Sequence, residues 1–67
     1  MSDPDFTVVV QPMRVIDADR AFDNWLAEHP SVKVRLTPDD IRVDTIRGRE
    51  GYSLRRYSVR TDALATR

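Results

Sequence analysis

A chain of 67 residues has room for one small domain, which buries only about 60% of the surface its unfolded chain exposes. Cysteine is absent and histidine occurs once, at His29, so no disulfide framework or thiolate zinc site is available to offset a thin core. A net charge of zero and 40% hydrophobic residues argue against both a disordered chain and a strongly basic nucleic-acid binder.

No apolar run approaches the length of a bilayer span. The opening Met1-Ser2-Asp3-Pro4-Asp5 is acidic and polar, unlike a signal peptide, and a cytoplasmic setting without membrane contact is expected. The neutral total hides a split. Residues 1–31 carry six acids against two arginines, a balance of −4, and residues 32–67 carry Lys33 and eight arginines against five acids, a balance of +4. If the two halves form different faces, the folded chain has an acidic and a basic side that can steer a charged partner.

In chain order, Phe6-Thr7-Val8-Val9-Val10 is a β-branched run stopped by Gln11-Pro12 and reads as a strand, central in its sheet or covered on both faces. Met13, Val15 and Ile16 form a partly buried connection. Asp17 is placed as a helix N-cap, with Asp19 in the first turn. Ala18, Ala21, Phe22, Trp25 and Leu26 then recur at three-and-four spacing, while Arg20, Asp23, Asn24 and Glu28 fall on the other side. Pro30 ends the helix, so it spans 18–28.

Val32, Val34 and Leu36 alternate with Lys33 and Arg35, the pattern of a half-exposed antiparallel strand over 31–36. Thr37-Pro38-Asp39-Asp40 reads as a tight turn; the rival reading makes Thr37 an N-cap and Pro38 the first residue of one helical turn. Ile41 to Ile46 continue as a strand with Ile41 and Val43 inward, and Ile46 falls out of phase, which suggests a bulge near Thr45. Gly48-Arg49-Glu50-Gly51 is the next turn, its glycines supplying positive φ. Tyr52 to Arg60 form the last strand, with a second phase shift between Leu54 and Tyr57. Residues 1–5 and 61–67 are expected to be flexible tails.

These elements predict an α+β fold: a two-layer βαβββ domain with one helix packed on a four-strand, mostly antiparallel sheet. Gly48-Arg49-Glu50-Gly51 also matches the G-x-x-G pattern of the KH-domain loop, which clamps a nucleic-acid backbone. That loop joins two helices, whereas both flanks here read as strands, and Glu50 would face phosphate. A hairpin turn is the expectation.

On the expected sheet, Lys33, Arg35, Arg42 and Arg55 share the solvent face, with Arg47, Arg49, Arg56 and Arg60 at its edge. Such cations would pair with the carboxylates of an acidic protein, or neutralise phosphates with Tyr52 or Tyr57 stacking on bases. Lys33, Arg35, Arg42, Arg55, Arg47 and Arg49 are therefore the candidate partner-binding residues. His29 fits the helix C-terminus as a cation, and Trp25 with Phe22 fits the core. No serine sits in a nucleophile motif, Asp39 and Asp40 suit a turn, and no cofactor or metal motif is present. The expected function is a non-catalytic protein-binding or regulatory module acting through the basic sheet face or an exposed strand edge, with a homodimer as one form. Nucleic-acid binding by the same face is the alternative, and an accessory subunit of a larger enzyme a further one.

Overall fold

The computed structural model describes residues 5–64. Strand β1 (Phe6–Arg14) runs directly into helix α1 (Val15–Glu28), followed by a short helix α2 (Pro30–Lys33). Strands β2 (Ile41–Arg47) and β3 (Ser53–Arg60) form a hairpin, and one helical turn, α3 (Thr61–Leu64), follows. The sheet is three-stranded and antiparallel, in the order β1-β3-β2. This is an α+β fold, but the expected four strands in βαβββ order are not formed. Among the described residues no helix is long and apolar enough to cross a membrane.

The missing strand is 31–36, and its residues wind instead. Pro30 occupies the first turn of α2, where its fixed φ suits a helix and its missing N–H costs nothing. Backbone bonds from Lys33 N–H to His29 O (2.9 Å), Val34 N–H to Pro30 O (3.2 Å) and Leu36 N–H to Val32 O (3.1 Å) carry the winding past the helix end. Val32 and Leu36 lie four residues apart and both turn inward, Val32 being buried, while Val34 is 82% exposed. The alternation that resembles a strand is thus also a helical i, i+4 pair with one apolar residue left outside.

Strand β1 is an edge strand, not the central one, and Pro12 does not stop it. The register steps from Val8↔Ser58 to Val10↔Tyr57 and from Val10↔Tyr57 to Met13↔Arg55, so each step carries one extra residue on β1. Pro12 falls within the second irregularity, a place where an edge strand tolerates a missing N–H. In contrast, β2 pairs with β3 without a shift from Ile41↔Val59 to Arg47↔Ser53, so no bulge forms at Thr45.

Helix α1 begins three residues earlier than expected. Arg14 occupies the N-cap position without a side-chain bond, and Asp17 lies in the first turn, where its charge still favours the helix. Its inward stripe is the predicted one: Ala18 and Phe22 are buried, and Ala21, Trp25 and Leu26 are partly so. The helix lies over β1 and β3. Phe22 stacks on Tyr57 of β3 at 4.3 Å between ring centroids and on Trp25 at 6.2 Å. With Val10, Ala18 and Val59 these rings form a thin core. At the helix end His29 stacks on Trp25 at 4.3 Å, and its Nδ1–H donates to Trp25 O at 2.7 Å.

Polar contacts pin the layers together. Asp19 of α1 accepts hydrogen bonds from the Tyr57 hydroxyl and from Arg55 Nη1 at 2.9 Å. The Tyr57 hydroxyl and then Arg55 hold the Asp19 carboxyl below its ordinary value. Burial first, then the bond to Asp19, push the Tyr57 phenol up. Thr37 and Pro38 open one turn of 3-10 helix (Pro38–Asp40), so the rival reading of that segment is the one realised. Asp40 Oδ2 accepts from Thr37 N–H and Oγ1–H, both at 3.1 Å, and the Thr37 backbone N–H is the main cause of its lowered pKa.

These shifts set the direction of acid stability. A carboxylate with a depressed folded pKa contributes fully above its unfolded value of about 4, and that contribution disappears as pH falls through the folded value. Thermal melts followed by circular dichroism should hold a plateau above about pH 5 and fall below about pH 4. In the variant D19N/D40N the acid limb should flatten; an unchanged limb would show that other carboxylates govern it.

The β2–β3 connection is a hairpin, not a helix–helix loop of KH type. Gly48 N–H donates to Tyr52 O at 2.7 Å, and Tyr52 N–H to Arg49 O at 3.3 Å. Positive φ falls on Glu50 (58°) and Gly51 (79°), and not on Gly48. Gly48 is needed for close approach, because a Cβ there would meet Tyr52 O at 3.1 Å and the Leu54 side chain at 3.2 Å. A Cβ at Gly51 would meet nothing, so Gly51→Ala isolates the backbone strain and should cost about 1 kcal/mol in urea unfolding.

Of the expected tails, Asp5 O accepts from Thr61 N–H at 2.9 Å and Thr61–Leu64 are helical. The remaining tail positions, 1–4 and 65–67, lie outside the described residues.

Candidate functional site

Side chains alternate across a strand, so the unshifted hairpin register assigns every residue of β2 and β3 to a face. Val59 is buried and Tyr57 stacks under α1, which puts Arg55, Tyr57 and Val59 on the covered face with Ile41, Val43, Thr45 and Arg47. Leu54, Arg56, Ser58 and Arg60 then share the uncovered face with Arg42, Asp44 and Ile46. From β1, Phe6, Val8 and Arg14 pair with residues of that same face.

The expected basic cluster is therefore dispersed. Lys33 is exposed on α2. Arg35 lies in the turn after it, donating from Nε to Ser31 O at 3.1 Å and from Nη2 to Ala63 O at 2.9 Å. Arg55 lies under the helix layer, bonded to Asp19. Arg47 ends β2 on the covered side, and Arg49 sits exposed in the hairpin turn. Only Arg42 of the six candidates lies on the uncovered face.

That face carries a different set of cations. The Arg42 guanidinium stacks on the Phe6 ring at 4.2 Å, crossing over Ser58, which is only 3% exposed. Arg60 approaches the same ring at 6.0 Å, and its Nε lies 3.2 Å from Asp40 Oδ1 without hydrogen-bond alignment. Arg56 donates from Nη2 to Asp44 Oδ2 at 3.0 Å. Arg14 covers Tyr52 at 4.9 Å. Among the described residues, four guanidiniums thus face two carboxylates, and the rings of Phe6 and Tyr52 hold Arg42 and Arg14 where no carboxylate does.

Sequence reasoning put Arg56 and Arg60 at the edge and left Arg14 out. The signal for the first two was present, because inward Tyr57 and Val59 force Arg56 and Arg60 outward on the same strand. Arg14 escapes a reading that stops the strand at Gln11-Pro12; β1 continues to Arg14, and because its two bulges cancel in phase, Arg14 shares the face of Phe6 and Val8. Tyr57, expected as a base-stacking group, is stacked on Phe22 instead. Tyr52 is 52% exposed.

Next to Arg14, between Ile16 and Tyr52, an open hollow of about 400 Å3 is lined mainly by apolar atoms. Ile16 itself is 72% exposed. Two more hollows, of about 660 and 330 Å3, follow the outer side of β1 on either side of Trp25. Trp25 is thus both core and surface. All three are open troughs against solvent, not enclosed cavities.

Charge is also divided between the layers. Asp17, Asp23 and Glu28 are exposed on α1, and the arginine face lies on the opposite side of the sheet. Among the described residues no group of three His, Asp or Glu converges as metal ligands would. Comparison with protein family models, with curated proteins and with solved structures finds no match.

Proposed function

We propose that this chain is a non-catalytic protein-binding module that takes an acidic segment of a partner on the uncovered face of its sheet. The observation that carries this reading is the surplus of cations there: Arg14, Arg42, Arg56 and Arg60 against Asp40 and Asp44. Guanidinium forks pair with carboxylates in two parallel hydrogen bonds, and those held over Phe6 and Tyr52 lose less freedom on binding than free side chains would. The hollow beside Arg14 suits an apolar side chain next to the partner's acid. Groups with displaced pKa values, namely Asp19, Asp40, Arg55 and Tyr57, each hold elements of the fold together. A cysteine-free composition suits a reducing, cytoplasmic compartment.

The test is fluorescence polarisation with a labelled Asp/Glu-rich peptide and with single- and double-stranded oligonucleotides, at about 50 and 200 mM salt. The peptide should bind, more weakly at the higher salt. Arg14→Ala with Arg60→Ala should weaken binding at least about tenfold, and Lys33→Ala, off the face, should leave it unchanged. No peptide binding at low salt, or binding indifferent to the arginine changes, would sink the proposal. Oligonucleotide binding lost through the same arginines would replace it with the nucleic-acid reading.

A further inference from the structure

The two edges of the sheet differ in kind. Strand β1 carries two register irregularities and Pro12, devices that keep an edge from adding another strand. Strand β2 has neither. It is seven residues long, it pairs with β3 without a break, and among the described residues nothing pairs with its outer edge. Because α1 lies over β1 and β3, β2 extends past the helix layer, and Val43 is 48% exposed on the side that faces inward elsewhere. An unbroken edge beside an uncovered apolar residue is a template for a further strand.

The sequence of β2 names the strand that fits. Two copies of one strand pair antiparallel about a two-fold axis, and both turn the same alternate backbone groups outward, so odd positions face odd and even face even. An axis at Asp44 would set Asp44 against itself, and one at Arg42 would set Arg42 against itself and Asp40 against Asp44. An axis at Val43 sets Arg42 of each copy against Asp44 of the other, twice, with Val43 facing Val43 and Ile41 facing Thr45. Directly opposed unlike charges stabilise a strand pair, and like charges oppose it.

The side chains are prepared for this register. Both bonds from Arg56 fall on Asp44 Oδ2, which leaves Oδ1 to accept from a second arginine. Among the described residues Arg42 is held by its stack on Phe6 alone, an exposed contact that is weak enough to exchange for a carboxylate. We propose that the outer edge of β2 pairs antiparallel with the same edge of a second copy of this chain, on a two-fold axis through Val43. The product is a six-strand sheet in the order β1-β3-β2-β2-β3-β1. The axis stands perpendicular to the sheet, so both α1 helices lie on one face and both arginine faces on the other. The surplus of cations is kept, because each Arg42–Asp44 pair only redistributes charges already on that face.

The test needs no ligand, and it does not touch Arg14 or Arg60, so it stands or falls separately from the sheet-face reading. Sedimentation of the full chain from about 10 μM to 1 mM should show a reversible monomer–dimer equilibrium. Val43→Lys sets two ammonium groups together at the axis and should weaken association at least about tenfold. Arg42→Asp alone opposes two acids at each pair, and Asp44→Arg alone opposes two arginines, so each should be monomeric at concentrations where the natural chain dimerises. Mixed in equal amounts, these two variants should form a heterodimer, because every opposed pair is then again unlike. Circular dichroism confirms that each variant is folded; if Asp44→Arg is not, Val43→Lys and Arg42→Asp still decide the matter. A natural chain that stays monomeric at about 1 mM would overturn the proposal. So would a dimer indifferent to Val43→Lys and Arg42→Asp, or folded charge variants that fail to associate when mixed.

Discussion

Phe22→Ala should remove most of the stability of this chain. Phe22 stacks on both Tyr57, at 4.3 Å, and Trp25, at 6.2 Å, and among the described residues it is one of few hydrophobic side chains that are buried. Truncating a buried phenylalanine costs about 3–5 kcal/mol from lost transfer energy and the cavity left behind. At about 0.05–0.15 kcal/mol per residue, a chain of this length has roughly 3–10 kcal/mol in total. Circular dichroism should therefore find the variant largely unfolded at 25 °C, or its Tm lowered by at least about 12 °C. A loss below about 1 kcal/mol would mean that the aromatic stack is not the centre of the core.

A second large effect is expected at Tyr57, where ring and hydroxyl can be separated. Tyr57→Ala removes the ring that seats α1 on β3 and should cost about 3–4 kcal/mol in urea or thermal unfolding. Tyr57→Phe keeps the stack and removes only the bond to Asp19, which is shared with Arg55, and should cost about 1 kcal/mol. If the two substitutions cost the same, the hydroxyl and not the ring would be holding the helix down. The double variant F22A/Y57A should lose less than the two single losses combined, because the rings contact each other and their shared term is counted once. Alkali gives an independent readout. The Tyr57 phenol is pushed above its ordinary value by burial, so its contribution is full below about pH 10 and is lost as pH rises through the folded value. The alkaline limb of the melting profile should shift in Tyr57→Phe.

Much of the site was hidden for a reason that the arginines make plain. Arg55 and Arg56 are neighbours in sequence and lie on opposite faces of the sheet, so one residue of phase decides whether a cation meets Asp19 or Asp44. Taking Tyr57 and Val59 as inward fixes that phase correctly. An inward Leu54 on the same strand requires a bulge that does not form, and without it Arg55 falls on the covered face with Tyr57. Lys33 and Arg35 were lost to the site with the strand that carried them.

Helix α1, the hairpin of β2 and β3 and the turn between them were determined by the sequence alone. Their signals are local: large apolar residues at three-and-four spacing, a proline to end the helix, alternation on both sides of a glycine-bounded turn. The strand order, the bulges in β1 and the winding of 30–36 were decided by tertiary structure. Five residues alternating between apolar and polar satisfy a strand and a helical i, i+4 pair equally well, and nothing within them breaks the tie. Val32 and Leu36 broke it by packing against the core, leaving Val34 in water. With that segment wound up, β3 became the centre of a three-strand sheet and β2 its unguarded edge.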